Sequence, residues 1–208
     1  MKKVIYIYIL DTMADWEIGY ILQSISMEKL LNKDTPKYCI KTVGSNKKAI
    51  KTLGGLTIIP DCSLDEINED EMVAILLPGA DRWNDDNQKL ILAKVPSYID
   101  KGILVAAICG ATIALSDLGI LNNCLHTSNS LEYLCSFSKN YTGQDFYKNE
   151  LSVNDKNIIT ASSAGGLLWA KQILEHLKVY SNTTIEAWYK YYLTGDSKYY
   201  FELISSVD

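Results

Sequence analysis

The sequence predicts an α/β sandwich of three layers, with helices on both faces of a mostly parallel central sheet. Three observations predict it. Apolar, β-branched runs of strand length alternate with stretches of helical periodicity along the chain. Those runs are apolar without alternation, the pattern of strands covered on both sides. One of them, Leu104-Val105-Ala106-Ala107-Ile108, runs straight into Cys109-Gly110 and then a helical segment, the layout of a nucleophile elbow.

The elements follow in order. Residues 4–10, Val-Ile-Tyr-Ile-Tyr-Ile-Leu, read as the first buried strand. A loop through Asp11, Thr12 and Met13 leads to a helix expected over residues 15–31, in which Ile18, Ile21, Leu22, Ile25 and Leu30 fall near helical spacing. Residues 38–43 read as a strand. Gly54-Gly55 marks a turn before a strand at 56–59, which Pro60 ends. Residues 72–77 are a continuous apolar strand stopped by Pro78-Gly79, and residues 87–99 a helix closed by Lys101-Gly102. After the strand at 103–108, the helix behind Cys109 carries Ile113, Ala114 and Leu115 and fades at Leu118-Gly119. Residues 147–153 and 157–160 flank an Asn-Asp-Lys-Asn turn and predict a hairpin. An amphipathic helix follows Gly165-Gly166, and the aromatic tail over 183–206 is expected to be helical. With no repeat, linker or low-complexity tract, one domain is expected over residues 1–208.

Composition narrows the function classes. Apolar residues make up 48% and charged residues 22%, and a net charge of −5 offers nucleic acid or an anionic membrane no electrostatic attraction. No apolar run is long enough to span a membrane. The basic start of the chain mimics a signal peptide, but the run behind it is short, β-branched and ends in Asp11 without a small-residue cleavage site. Five scattered cysteines with no C-x-x-C suit free thiols in a reducing cytoplasm. Nothing in the pattern calls for a metal or a cofactor.

Three strand ends should converge, because ligand sites in such sheets form beyond the C-terminal ends of the strands. These are the Asp11–Glu17 segment, Pro78-Gly79-Ala80 and Cys109. The blocks Ala14-Asp15-Trp16-Glu17, Leu76-Leu77-Pro78-Gly79-Ala80, Ala106 through Thr112, and the weaker Ile158-Ile159-Thr160-Ala161-Ser162 resemble those of the DJ-1/PfpI family, within the class I glutamine amidotransferase-like superfamily. The resemblance runs from about residue 3 to 178. It implies a flavodoxin-like fold, in which Cys109 is the reactive elbow cysteine and Glu17 the glutamate that hydrogen-bonds it. Gly79 and Ala80 match the turn that forms an oxyanion hole together with Gly110, Ala80 standing where a second glycine is usual.

The departures limit what is inherited. Hydrolases of the family place a histidine after the cysteine, where this chain has Gly110, and other relatives place one twenty residues on, where it has Asn129. His126 lies three residues earlier and is a base for Cys109 only if its loop bends inward; the alternative is a structural histidine. A glutamine amidotransferase is disfavoured, since neither histidine sits in a His-x-Glu.

Each residue has a plainer reading. Cys109 is a core cysteine unless the elbow and the helix N-terminus lower its pKa. Glu17 is an exposed first-turn acid or a buried partner whose pKa is raised, so that it donates to a thiolate. Asp15 caps its helix or faces the pocket. Arg82, the sole arginine, binds a substrate carboxylate or forms a surface ion pair, and Asn129 is a further substrate-binding candidate. His176 reads as surface. The Trp188–Tyr192 and Tyr199–Phe201 clusters read as core packing or a dimer face. Two functions follow. One is a cysteine-dependent enzyme, hydrolase/amidase- or glyoxalase-like, acting on a small electrophile as a cytoplasmic homodimer. The other is a non-catalytic redox or stress-response protein that signals by oxidation of Cys109.

Overall fold

A computed structural model describes residues 3–206; Met1-Lys2 and Val207-Asp208, the ends of the expected domain, lie outside the described residues. Nine strands and seven α-helices are assigned among them: β1 Lys3–Tyr8, α1 Gly19–Ser26, β2 Tyr38–Gly44, β3 Ile50–Lys51, β4 Thr57–Ile58, β5 Cys62–Ser63, β6 Met72–Leu77, α2 Lys89–Asp100, β7 Leu104–Ile108, α3 Ala111–Asp117, α4 Leu131–Phe137, β8 Ser152–Asp155, β9 Ile158–Ala161, α5 Gly166–His176, α6 Asn182–Thr194 and α7 Ser197–Ser205.

The central sheet runs in the order β5-β2-β1-β6-β7-β9-β8. Its pairings are parallel except that of β8 with β9, an antiparallel hairpin. Val4 to Tyr8 on β1 and every residue of β7 are fully buried. Successive side chains of a strand point to opposite faces, so burial of both parities means that both faces are covered. The apolar runs of the sequence are therefore what an α/β sandwich needs at its centre. The chain leaves β1 for β2 on one side and enters β6 on the other, so the order reverses between β1 and β6, and a crevice opens beyond their C-terminal ends. The segments after β1, β6 and β7 meet there.

Several boundaries differ from the sequence reading, each for a physical reason. The helix expected over 15–31 is broken into a 3₁₀ turn at Asp15–Glu17, α1, and a second 3₁₀ turn at Glu28–Leu30. The break lets Glu17 turn inward to complete burial while Trp16 beside it stays exposed, which one continuous amphipathic helix would not do. The strand at 56–59 shrinks to β4, which pairs with β3 in a separate two-stranded hairpin. That hairpin is anchored on the loop after β1: Thr12 N–H donates to Lys51 O at 2.8 Å and Leu53 N–H to Met13 O at 2.8 Å. Residues 147–151 are not part of the β8 strand; Tyr147 makes a single bridge to His126. Beyond α5, Ser181 caps α6 through Thr184 N–H, Gly195 ends it at φ +70°, and Asp196 caps α7. Trp188 on α6 is buried against Tyr20 and Tyr192, so this part of the aromatic tail is core, while Phe201 is exposed. No helix among the described residues is long and apolar enough to cross a membrane.

Candidate active site

β7 delivers Cys109 into the crevice in a strained conformation. Its φ is +56°, in the left-handed region that costs a non-glycine residue about 1–3 kcal/mol unless its surroundings hold it. The surroundings do hold it. Cys109 N–H donates to Ala161 O of β9 at 2.9 Å, and its carbonyl accepts from Thr112 N–H at 3.1 Å and Thr112 Oγ1 at 2.6 Å. Thr112 Oγ1 is in turn 2.7 Å from Ser128 Oγ. This is a nucleophile elbow by geometry as well as by sequence.

The Asp15–Glu17 turn and the Pro78–Ala80 turn are bolted together by two bonds. Ala14 N–H donates to Gly79 O at 2.9 Å, and Gly79 N–H donates to Glu17 Oε2 at 2.6 Å. Glu17 Oε1 is buried without a hydrogen-bond partner, and the carboxyl lies beside the Cys109 thiol. The second bond corrects one expectation: the Gly79 N–H is spent on Glu17 and is not an oxyanion donor. The backbone N–H groups that remain are those of Ala80 and Gly110, the latter directed at the Cys109 sulfur. A Cβ on Gly110 would meet Ala80 O at 2.8 Å, so the 78–80 turn packs too closely for a side chain there. That closeness accounts for glycine at this position.

Asn129, the other departure, does reach the sulfur. Its Oδ1 accepts from Ser163 N–H at 2.8 Å, which fixes the amide orientation, and its Nδ2 donates to Cys109 Sγ at 3.5 Å. His126 does not. It is fully buried, with Nδ1 2.8 Å from Cys124 O and Nε2 2.8 Å from Tyr141 Oη. With both ring nitrogens committed, the expectation of a base near Cys109 is corrected to a structural histidine. His126→Ala is expected to destabilise the fold by about 1–3 kcal/mol, the cost of an orphaned buried partner, while leaving the Cys109 alkylation rate unchanged. Urea denaturation and iodoacetamide labelling check the two halves.

The remaining candidates fall to their plainer readings or elsewhere. The Arg82 guanidinium lies 3.8 Å from Asp85 in an exposed pair, correcting the substrate-carboxylate expectation. Asp15 neither caps its helix nor faces the pocket; its Oδ2 accepts from Gly54 N–H at 2.6 Å and ties down the tip of the β3–β4 hairpin. His176 is half-buried rather than surface. Among the described residues, no cluster of three or more His, Cys, Asp or Glu side chains is placed to hold a metal ion. Sequence reading missed Tyr133 altogether. It sits in the first turn of α4 behind the Ser130 cap, near enough to the site for the charges of Cys109, Asp81 and Glu17 to bear on its hydroxyl.

Burial raises the Glu17 carboxyl above its ordinary value of 4.5, against the pull of the Gly79 N–H and the thiol. Burial also pushes the Cys109 thiol up, contrary to the lowering expected from the elbow alone, while Asn129 and the Gly110 N–H pull it down. A charged Glu17 would push it up further. The two groups thus compete for one proton and titrate as a pair. A charge on the half-buried sulfur finds donors in Asn129, Gly110 and protonated Glu17. A charge on the fully buried carboxylate finds the Gly79 N–H and the thiol. Both groups hold their protons more tightly than usual, and thiolate beside carboxylic acid is reached by passing the thiol proton to the Glu17 carboxylate.

The chain matches the model of the DJ-1/PfpI family over residues 2–176, which ends with α5. It is 40% identical over 206 residues to the uncharacterized protease YoaZ of Bacillus subtilis strain 168, covering 99% of this chain and 98% of that protein. It is 32% identical over 188 residues to the uncharacterized protease YdeA of the same organism, covering 89% and 88%. The crystal structure of a thiJ/pfpI family protein from Bacillus anthracis superposes with a TM-score of 0.93 at 38% identity, covering 99% of this chain and 97% of that one.

Proposed function

This chain belongs to the DJ-1/PfpI family, and on that premise we propose that it is a cysteine-dependent enzyme in which Cys109 adds to the carbonyl carbon of a small substrate. The observation that carries the reading is the Glu17–Cys109 pair: a buried carboxyl against the sulfur of a strained elbow, beside the Ala80 and Gly110 N–H groups.

The chemistry follows from that pair. The Cys109 thiolate attacks, a C–S bond forms, and the π electrons of the carbonyl move to oxygen. The Ala80 and Gly110 N–H groups stabilise the developing charge. Glu17 gives its proton to that oxygen and is left as carboxylate, so the adduct is neutral and Glu17 becomes the base for its resolution. One group serves for both proton transfers. Amide hydrolysis, by contrast, asks for a proton on the leaving nitrogen as well as activation of water. With His126 committed elsewhere, the site supports glyoxalase-like carbonyl chemistry better than peptide cleavage, although YoaZ and YdeA both carry protease in their names.

The test is consumption of a panel of small aldehydes, α-oxoaldehydes, esters and amides by wild type and Cys109→Ala. Carbonyl turnover by wild type that vanishes in the variant is expected. Turnover that survives in Cys109→Ala, or its absence across the panel, overturns the reading. A second reading rests on the unpartnered Glu17 Oε1: a sulfinate oxygen on Cys109 would accept its proton, which suits a redox sensor. Mild peroxide should then add two oxygen atoms to the intact mass in wild type and none in Cys109→Ala.

A further inference from the structure

We propose that Asn129 is a catalytic residue of this site: a donor that cannot titrate, which holds the negative charge on the Cys109 sulfur when it attacks and again when it leaves. The inference rests on the carbonyl reading above and adds to it the group that makes addition of the thiol reversible.

The carboxamide has one orientation. Ser163 N–H can only donate, and Asn129 Oδ1 accepts from it at 2.8 Å, so Nδ2 is the end that meets Cys109 Sγ, at 3.5 Å. The backbone that carries it is held as firmly. Thr127 N–H donates to Thr160 Oγ1 at 2.9 Å, and Thr127 Oγ1 to Glu150 O at 2.8 Å. Ser128 Oγ lies 2.7 Å from Thr112 Oγ1, which itself bonds the elbow carbonyl. Ser130 Oγ caps α4 by accepting from Tyr133 N–H at 3.0 Å. Thr127 and Ser128 are buried. The donor is thus in place before any substrate arrives.

A neutral N–H bonds a thiol weakly and a thiolate strongly, so the contact favours the charged form. Burial pushes the thiol up and a charged Glu17 adds to that, whereas Asn129 and the Gly110 N–H pull it down; no cation is among these influences. Tyr133 of α4, on which the charges of Cys109, Asp81 and Glu17 bear, is held above its ordinary value of 10.0 and is neutral near pH 7. A carboxamide neither takes up nor releases a proton there. Glu17 therefore remains the proton carrier. When the adduct collapses, the Glu17 carboxylate takes the hydroxyl proton, the carbonyl re-forms, the C–S bond breaks, and its electron pair returns to Sγ against Asn129 Nδ2.

The test is the pH profile of iodoacetamide labelling in wild type, Asn129→Asp and Asn129→Ala, read by mass on the Cys109 peptide. Aspartate keeps the volume and the bond from Ser163 N–H but turns an oxygen toward the sulfur. Alanine removes the group. Loss of the bond is expected to raise the labelling midpoint by about one unit in Asn129→Ala. Asn129→Asp should lie higher still, because two like charges then meet. Rates on the alkaline plateau should agree within about threefold. A residue that only fastens the 127–130 segment predicts the reverse order, with Asn129→Asp close to wild type, since the Ser163 bond survives. That order, or midpoints within about 0.3 unit of wild type in both variants, overturns the proposal. Should Asn129→Ala lose its cooperative melt, Asn129→Asp alone decides. Alkylation needs no carbonyl chemistry, so a panel without turnover fails the carbonyl reading while the order of midpoints still judges Asn129.

Discussion

Replacing Glu17 by glutamine is expected to leave Cys109 reactive and to abolish turnover. Glutamine is nearly isosteric. Its oxygen accepts from Gly79 N–H as Glu17 Oε2 does, and its amide nitrogen takes the place of the unpartnered Oε1. A donor to the thiolate is kept, but it has no proton to give up. Iodoacetamide labelling of Cys109 should therefore proceed at neutral pH, with a midpoint within about one unit of wild type, while carbonyl turnover falls by at least about a hundredfold. Stability supplies an independent reading. Burial raises Glu17 above 4.5 in the folded protein. The folded state thus binds more protons than the unfolded state between those two values. This stabilisation is complete below 4.5 and is lost as pH rises through the folded value. Wild-type Tm should fall across that window, and Glu17→Gln should lose this component of the slope. A variant that keeps full turnover would sink the proton-shuttle role, and an unchanged slope would sink the buried-acid assignment.

How much of this was legible in the sequence varies residue by residue. β1, β6 and β7 were legible because a strand covered on both faces has to be apolar throughout, and that pattern is local. The elbow was legible for the same reason, as an apolar run ending in Cys-Gly. Glu17 was legible only through family resemblance: a glutamate in a first helical turn is ordinarily exposed, and the 3₁₀ turn that buries it depends on Gly79, 62 residues away. Asp15 was misjudged because its partner, Gly54 N–H, is 39 residues distant on a hairpin that periodicity does not reveal. His126 was ambiguous for a similar reason. Its fate is decided by Tyr141 and by a carbonyl two residues back, and neither leaves a pattern in sequence. The thiol pKa was read from the elbow alone, whereas its direction is set first by burial, a property of the assembled crevice.

Gly79→Ala is expected to damage the fold and the site together. A Cβ at Gly79 would stand 2.6 Å from Cys109 Cβ and 2.8 Å from both Glu17 carboxyl oxygens. None of the three can yield cheaply. Cys109 Cβ is fixed by the elbow at φ +56°, pinned on both sides by the bonds to Ala161 and Thr112. The Glu17 carboxyl is fixed by the N–H of Gly79 itself. Relief requires the 78–80 turn to retreat from α3, and that retreat breaks the bonds that join it to the Asp15–Glu17 turn. Overpacking of this kind costs about 1–3 kcal/mol, which for a chain of this size is a fall in Tm of about 3–10 °C. The site suffers beyond that, because displacement of Glu17 and of the Ala80 N–H removes the proton donor and an oxyanion donor together. Turnover should drop by at least about a hundredfold. Gly19→Ala is the control. It lies on the connection that follows β1, and a Cβ added there would meet nothing within 4 Å. It also heads α1, where alanine is the better helix former, so Tm should hold or rise slightly. Differential scanning fluorimetry of the two variants separates the cases: a Gly79→Ala protein as stable as Gly19→Ala would mean that the turn does not crowd the elbow as described.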